Sequence, residues 1–447
     1  MSVALGRSIR VNRSGQAWSV AWGFVDQVFS SLTNFGLFLV AGRLLGPAGL
    51  GVVFVGFSSY LVALGFQRAL VTDPLVASSA GRGPVTRLRM TRCGLTTSML
   101  GASAAGAVLA TFGLVVPGPL GRGLLLFAPW LVAALVQDFW RAVLFRDGRA
   151  VAATANDGVW LLVMGLSFPL AWFGRSEWPI VVCWGAGALV SASLGFFQAR
   201  VRPAKPLAGL GWWRSEAWPF GRWLGLNSVL YSLGSYATIF VLAGLLGAGP
   251  LGGLRAIESI FAPLSLIIPA LALPGLPAVT RALAVSFAAA RRLALQLGAV
   301  ATGATLLYVL VLSVGREQVL PLVFGQSFST FTNLVWPVGG GQIISSTALA
   351  FGLVLKAQRR GRELLLSGAV GAVATLGLSA GLASQFGVLG AAWGLAGGSA
   401  VGALAMMLFA ISGPAGSRRR PRATGAAMSP LVSAPLPDGR LNERGTS

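Results

Sequence analysis

Charged side chains are few inside the long apolar stretches of this 447-residue sequence, and we single out six of them. They are Asp26, Arg68, Asp138, Asp157, Arg255 and Glu258. A charge placed in hydrocarbon is costly, so each of these residues is a functional candidate by default. A guanidinium can hold a phosphate with its planar set of donors, and a carboxylate can take up a proton or a cation. The chemistry that these residue types offer is binding of an anionic group and exchange of a small cation.

Asp26 is the first candidate for ion coupling. It lies beside Gln27, about nine residues into the first apolar stretch, which is near mid-depth for a helix rising about 1.5 Å per residue. No basic residue falls within one helical turn of it. Asp26 could exchange a proton or bind sodium, or it could be a neutral structural residue hydrogen-bonded near Ser30 and Asn34. The sequence leaves both interpretations open.

Arg255 and Glu258 lie three residues apart and share one helix face. They could form a pair that neutralises itself. Alternatively, Arg255 faces a cavity and binds a phosphate, while Glu258 orients it or takes part in ion coupling, and we favour this second interpretation. Arg68 is also a candidate for binding an anionic substrate. Because Arg68 lies near the inner end of its apolar stretch and Asp73 follows five residues later, Arg68 could instead extend to the membrane surface.

A second group of polar residues falls at similar depths in two adjacent apolar stretches. The group consists of Asp138, Arg141, Asn156 and Asp157. Hydrogen bonds between neighbouring helices explain these residues without a substrate, and we favour that interpretation over a proton relay.

The composition requires a membrane. The sequence is 55% hydrophobic and 10% charged, which leaves too little polar surface for a water-soluble globule of this length. A membrane-spanning helix needs about 20 mostly apolar residues. Twelve such stretches are present, at 17–41, 48–71, 95–116, 124–145, 151–173, 178–199, 223–246, 251–274, 293–314, 331–355, 364–384 and 388–411. We therefore predict an all-α polytopic membrane protein of about twelve helices.

The net charge is +22, and the placement of the basic residues indicates the orientation of the chain in the membrane rather than nucleic-acid binding. If both termini are cytoplasmic, 28 of the 34 Lys and Arg residues fall in the segments on the inner side. This is the bias of the positive-inside rule, and it predicts a cytoplasmic (inner) membrane location with both termini inside. We expect the surplus basic residues to contact membrane lipid, and we expect no nucleic-acid partner.

Several kinds of chemistry have no support in the sequence. It contains no histidine and two cysteines, Cys93 and Cys183, and it lacks a glycine-rich phosphate loop that ends in Lys-Ser or Lys-Thr. We therefore expect no catalytic residue, no metal site, no cofactor and no enzyme activity. Coupling to a proton or sodium gradient is the energy source that remains.

A short motif occurs twice, 201 residues apart, after an apolar stretch each time. The matching positions are Leu44 with Leu245, Gly46 with Gly247 and Leu50 with Leu251. An even number of spans separates the copies, so both halves run in the same direction. The sequence thus predicts a duplicated transporter with a pseudo-two-fold axis along the membrane normal and a cavity between two six-helix lobes.

The predicted organisation has five parts. They are a cytoplasmic N-terminal segment (1–16), an N-lobe with spans 1–6 (17–199), an interfacial cytoplasmic connector (200–222), a C-lobe with spans 7–12 (223–411) and a disordered basic cytoplasmic tail (412–447). The connector is rich in tryptophan and arginine, which favour the headgroup layer.

Five stretches carry a resemblance to a known family: residues 26–35, 43–47 and 64–70 in the first half, and 245–256 and 319–325 in the second. On these stretches the sequence resembles the oligosaccharide flippase branch, the Wzx-like transporters, of the multidrug/oligosaccharidyl-lipid/polysaccharide exporter superfamily. Twelve spans suit this branch and its drug-exporting relatives. The resemblance covers nearly the whole membrane region.

The resemblance implies a MATE-like fold in which two six-helix lobes rock between inward-open and outward-open states. Such transporters move a polyprenyl-pyrophosphate-linked glycan to the outer leaflet for surface polysaccharide assembly, alongside other proteins of that assembly. Arg68 and Arg255 match, by span and depth, the arginines that hold the anionic substrate. Asp26 matches an acidic residue of the first span.

Two alternatives remain. One is a drug or cation antiporter of the same fold, which an acidic cavity would favour, whereas Arg68 and Arg255 favour an anionic head group. The other is a membrane polysaccharide polymerase or ligase, which would need catalytic groups on a sizeable outer loop. The short outer connectors weigh against it.

Overall fold

The computed structural model of the protein describes residues 13–79, 82–174, 176–358 and 360–412. Most of the predicted N-terminal segment, and the predicted tail beyond Ser412, lie outside the described residues. The described residues up to Ala410 form one compact unit, which contains every element discussed below apart from the last residue of the final helix.

Every regular element in the described part of the chain is helical. The α-helices are α1 (Arg13–Gln67), α2 (Asp73–Ser79), α3 (Pro84–Val115), α4 (Gly118–Phe127), α5 (Leu131–Arg146), α6 (Ala150–Gly174), α7 (Glu177–Ala199), α8 (Pro206–Trp212), α9 (Trp218–Leu246), α10 (Ala248–Ile260), α11 (Leu264–Val285), α12 (Phe287–Phe324), α13 (Val335–Ala357) and α14 (Gly361–Ile411). Two π-helical turns, Arg68–Thr72 and Trp213–Ala217, continue α1 and α8 without a break. Two 3₁₀ segments, Ala128–Trp130 and Gln326–Leu334, precede α5 and α13.

The helices account for the predicted spans. Within the described residues, eight helices are long and apolar enough to cross a membrane. Two of them, α1 and α14, each consist of two helices joined at a non-helical glycine with positive φ, Gly46 (68°) and Gly387 (61°), so each contains two predicted spans. The seventh and eighth predicted spans correspond to α9 and to the broken pair α10 and α11. The chain is an all-helical, multi-pass membrane protein.

The duplicated motif forms the same turn in both halves. Gly46 has φ 68° and ψ −167°, and Gly247 has φ 77° and ψ 178°. An L-residue with a Cβ is strained in this region, so glycine suits both positions. Since the two glycines are 201 residues apart, the repeat seen in the sequence is also a repeat of backbone conformation.

The two copies of the motif pack directly against each other. A Cβ on Gly51 would lie 1.9 Å from the carbonyl oxygen of Ala248, and one on Gly252 would lie 1.8 Å from the carbonyl oxygen of Pro47. The same offset of 201 residues relates Pro47 to Ala248 and Gly51 to Gly252. The two contacts are therefore reciprocal, as a two-fold arrangement requires. We call these four residues the glycine seam.

Further contacts join the halves at the end where the glycine seam lies. The Arg43 guanidinium donates to the carbonyl oxygens of Leu322 and Val323 near the end of α12, with 2.5 Å from Nε to the Val323 oxygen. Phe35 packs edge-on against Phe324, with ring centroids 6.4 Å apart. The N-terminal half, which supplies α1, is thus closed against the C-terminal half at this end.

Candidate functional site

Five charged side chains converge where α1, α5, α6 and the π-helical turn Arg68–Thr72 meet. We call them the charge network: Asp26, Arg68, Asp138, Arg141 and Asp157. They come from positions as far apart as 26 and 157 in the sequence. Because each ion pair except Arg141–Asp138 links different helices, the network also fixes how these helices pack.

Arg141 is the centre of the charge network. Its Nε donates to Oδ2 of Asp26 at 2.7 Å, and its Nη2 contacts the same oxygen. Nε also lies 3.5 Å from Oδ2 of Asp157, and Nη1 lies 3.9 Å from Oδ1 of Asp138. One guanidinium on α5 is therefore shared among three carboxylates. Asp26 thus has a basic partner 115 residues away in the sequence, far beyond one helical turn.

Arg68 and Asp138 form a two-point ion pair. Nε of Arg68 donates to Oδ2 of Asp138 at 3.0 Å, and Nη2 donates to Oδ1. Arg68 begins the π-helical turn that follows α1. A π-helical turn inserts an extra residue into the helix, and such turns are frequent at functional sites.

Burial divides the charge network into two parts. The carboxylate side chains are almost completely covered, with exposed fractions of 1% for Asp26 and 6% for Asp138 and Asp157. Arg141 is 19% exposed, whereas Arg68 is 44% exposed. The Arg68 side chain is therefore the most accessible member of the charge network.

The charge network contains one more acidic than basic group. Three aspartates face two arginines, and Oδ1 of Asp26 is buried without a hydrogen-bond partner among the described residues. A buried, unsatisfied carboxylate oxygen is costly. A proton or a small cation at Asp26 would satisfy that oxygen and balance the formal charge.

Uncharged polar residues connect the charge network to neighbouring helices through hydrogen bonds. Gln137 donates through Nε2 to Asn156 at 3.1 Å and to Asp157 at 2.5 Å, which joins α5 to α6. Asn156 donates through Nδ2 to the carbonyl oxygen of Ser191 at 2.8 Å and to Oε1 of Gln198 at 3.1 Å, which joins α6 to α7. Asn156 is thus bonded to neighbouring helices, whereas Asp157 also faces Arg141.

Sequence analysis missed another buried polar pair beside Arg68. Nε2 of Gln67 donates to the carbonyl oxygen of Leu135 at 2.7 Å, and the Ser98 hydroxyl donates to Oε1 of Gln67 at 2.8 Å. These bonds fix the end of α1 against α5 and α3. The available signal was an amide directly before an arginine inside an apolar stretch.

Arg255 occupies a separate place, next to the glycine seam. Its Nη1 lies 3.2 Å from Oε2 of Glu258, and its guanidinium stacks on the rings of Phe38 and Phe54 of α1, at 4.3 and 4.8 Å from their centroids. Its Nε is buried without a hydrogen-bond partner among the described residues. Among the described side chains, no ion pair or hydrogen bond joins this pair to the charge network. The two arginines predicted to bind substrate thus lie in different environments.

Comparisons with known proteins give structural matches alone. No protein-family model and no curated protein sequence matches this chain. An inward closed structure of the lipid II flippase MurJ matches with a TM-score of 0.71 at 9% identity, over 87% of each chain. An inward-facing multidrug resistance MATE family transporter of the MOP superfamily matches with a TM-score of 0.62 at 13% identity, over 85% of this chain and 93% of that chain. The chain has the fold of these transporters.

The predicted all-α, MATE-like fold is therefore confirmed. An outward-facing MATE structure matches with a lower TM-score, 0.54, also at 13% identity, over 86% of this chain and 92% of that one.

Proposed function

We propose that the protein is a transporter that flips a polyprenyl-pyrophosphate-linked oligosaccharide across the cytoplasmic membrane for surface polysaccharide assembly. Two kinds of evidence support this proposal. The fold is shared with a lipid II flippase and with drug transporters. The exposed side chain of Arg68 suits an anionic head group. Both termini are expected on the cytoplasmic side, where other proteins of the assembly make the substrate.

The exposure of Arg68 is the observation that carries the choice of cargo. Its side chain is 44% exposed while the three aspartates of the charge network are 6% exposed or less. An arriving head group would meet a guanidinium before it met a carboxylate. Asp138 holds two of the Arg68 donors, so a pyrophosphate would bind the outer edge of Arg68 or displace Asp138.

The surplus carboxylate supports ion coupling. Asp26 has a buried, unpartnered Oδ1 and shares Arg141 with Asp157. Uptake of a proton or of sodium at Asp26 would weaken its hold on Arg141. Arg141 would then turn toward Asp138 and loosen the hold of Asp138 on Arg68. In this scheme the ion and the anionic substrate bind to the same chain of ion pairs, which is the coupling that transport against a gradient requires.

Arg255 supplies a second anion site that depends on the conformation. Phe38 and Phe54, which cover it, belong to the other half of the molecule. When the glycine seam opens, these rings move away and the Arg255 guanidinium becomes accessible, with Glu258 as its remaining partner. The pyrophosphate would then pass from Arg68 to Arg255 as the halves rock.

A drug or cation antiporter is the second candidate. The observation that favours it is the acidic excess of the charge network. In that case Asp26 or Asp157 would bind the cationic drug directly, and the drug would have to reach carboxylates that are now buried.

The deciding experiment deletes the gene in its own host and measures lipid-linked glycan on the cytoplasmic leaflet. We expect the glycan to accumulate there, wild-type protein to clear it, and Arg68→Gln to leave at least tenfold more than wild type. Arg122→Gln is the matched control, because Arg122 is 61% exposed and its ion-pair partner, Glu177, does not belong to the charge network. It should rescue like wild type.

The same strains separate the two candidates. Efflux of a cationic dye should be equal in the deletion strain and in wild type if the protein is a glycolipid flippase. Normal surface glycan in the deletion strain together with lost dye efflux would refute the flippase and favour the antiporter. Rescue by Arg68→Gln at the wild-type level would refute the role given to Arg68.

A further inference from the structure

A basic cavity lies at the ends of α3, α5 and α7, apart from both the charge network and Arg255. Its volume is about 560 Å³. Its lining includes the arginines Arg87, Arg146 and Arg149, one carboxylate, Asp147, and the hydroxyl-bearing Thr91. If all four charged groups are ionised, the lining carries two net positive charges. The positive-inside bias predicts that this end of the helices faces the cytoplasm.

Arg146 is the central donor of this cavity. Its side chain is 9% exposed. Nε and Nη2 donate to the two carboxylate oxygens of Asp147 at 2.9 and 3.1 Å, so the guanidinium is held on one edge. Nη1, on the other edge, is buried without a hydrogen-bond partner among the described residues. Nη1 has almost no accessible surface, so a small shift of the Arg146 side chain has to bring it to a ligand in the cavity. Because a buried N–H of a charged group is costly to leave unsatisfied, that contact is favourable.

The backbone around Arg146 is already in place for such a ligand. Between α5 and α6 the chain turns with hydrogen bonds from the amides of Asp147, Gly148 and Arg149 to carbonyl oxygens in the last turn of α5, at 3.0, 3.1 and 2.8 Å. Nη1 of Arg149 donates to the carbonyl oxygen of Gln198 at 2.7 Å, which fixes the same turn against α7. The N-terminus of α3, which begins at Pro84, adds the positive end of a helix dipole.

The cavity opens beside apolar surface that suits an acyl chain. Leu88 lines the cavity and is 48% exposed, and Val85, next to it on α3, is 82% exposed. Val151, two residues after Arg149, is 49% exposed. In the apolar 18-residue window of α3, 17% of the residues are buried, as expected of a helix that faces lipid. A ligand of this cavity would therefore meet cationic donors at one end and hydrocarbon at the other.

We propose that this cavity binds the phosphate of an anionic phospholipid from the adjacent leaflet, with Nη1 of Arg146 as its principal donor and Arg87 and Arg149 as flanking charges. Basic pockets between membrane helices bind such head groups through charge-assisted hydrogen bonds. The lipid holds together the ends of α3, α5, α6 and α7. The proposal is independent of the cargo of the transporter.

The test measures lipid binding to the purified full chain by native mass spectrometry. The probes are dioleoylphosphatidylglycerol, dioleoylphosphatidylcholine and inorganic phosphate. We expect one phosphatidylglycerol to bind at least tenfold more tightly than phosphatidylcholine, and Arg146→Gln to weaken its binding by roughly tenfold or more. Arg122→Gln, which removes an exposed arginine elsewhere, should bind like wild type.

Two further variants protect the test against a folding failure of Arg146→Gln. Arg87→Gln and Arg149→Gln change flanking residues of the cavity, and each should weaken phosphatidylglycerol several-fold. Wild-type affinity in all the cavity variants that fold would overturn the proposal, as would equal affinity for the two lipids. If inorganic phosphate displaces phosphatidylglycerol at equal concentration, the cavity is a site for soluble phosphate and the lipid proposal is wrong.

Discussion

The glycine seam makes a sharp prediction about the conformational equilibrium. In Gly252→Ala the new Cβ would lie 1.8 Å from the carbonyl oxygen of Pro47, whereas ordinary van der Waals contact begins at 3.4 Å. The two backbones would have to separate by about 1.6 Å. Since the clashing atom is backbone, no side chain can rotate away to relieve the overlap.

The size of the effect follows from the cost of overpacking. An added methyl group in a well-packed contact typically costs about 1–3 kcal/mol. Pro47 and Gly252 belong to different halves, so opening the seam removes the clash, while the interior of each half is unchanged. The closed state should therefore lose a factor of about 5 to 150 relative to the open state.

The assay is a distance measurement between nitroxide labels at Arg122→Cys and Glu317→Cys. These side chains are 61% and 73% exposed and belong to opposite halves. The native cysteines, Cys93 and Cys183, are buried and should react little with the label. Gly252→Ala should increase the population at long distances relative to an otherwise wild-type labelled protein.

Gly249→Ala is the matched control. Gly249 belongs to the same helix and the same motif, and nothing lies within 4 Å of a Cβ built on it. Its distance distribution should equal that of wild type. An unchanged distribution in Gly252→Ala, or an equal change in Gly249→Ala, would refute the idea that backbone contact across the seam holds the halves closed.

Three further variants test individual contacts. Arg43→Gln loses its donors to α12 and should weaken the closed state by about 1 kcal/mol, seen with the same label pair, because the side chain is exposed. Phe54→Leu removes one of the two rings on Arg255 and should cost about 0.5–2 kcal/mol, measured as a lower thermal unfolding midpoint; no change would mean that the stacking contributes nothing. Asp26→Asn keeps the shape of the site but removes the surplus charge, so the protein should fold, and flipping in proteoliposomes should no longer respond to an imposed proton or sodium gradient. A gradient response equal to that of wild type would exclude Asp26 as the coupling residue.

Local features of the sequence predicted much of the fold. Helix length and apolar content depend on short windows, so the spans could be located without knowing their neighbours. The repeated sequence motif also corresponds to a repeated structure, because Gly46 and Gly247 adopt the same backbone conformation. Spans 1 and 2, and spans 11 and 12, are pairs of helices joined at one non-helical glycine, Gly46 or Gly387, whose positive φ lets the chain turn within a single residue.

The partners of the charges could not be predicted in the same way. Asp26 has no basic residue within one helical turn, yet Arg141 contacts it from α5. Arg68 could have extended toward the membrane surface, yet it pairs with Asp138, 70 positions later. The rotation and tilt of two helices in the packed bundle decide which of their faces meet. Helices that are apolar on nearly all sides have no sequence pattern that shows this rotation or tilt.

By itself, the sequence determined that this chain is a membrane protein of duplicated helices with a few costly charges inside them. The tertiary structure alone decided that Arg141 is shared by three aspartates, that Arg68 is the exposed member of the charge network, and that Arg255 is covered by Phe38 and Phe54. The physical reason is the distance along the chain over which each property is determined. The hydrophobicity of a segment depends on that segment alone, whereas an ion pair exists only after distant segments have packed together.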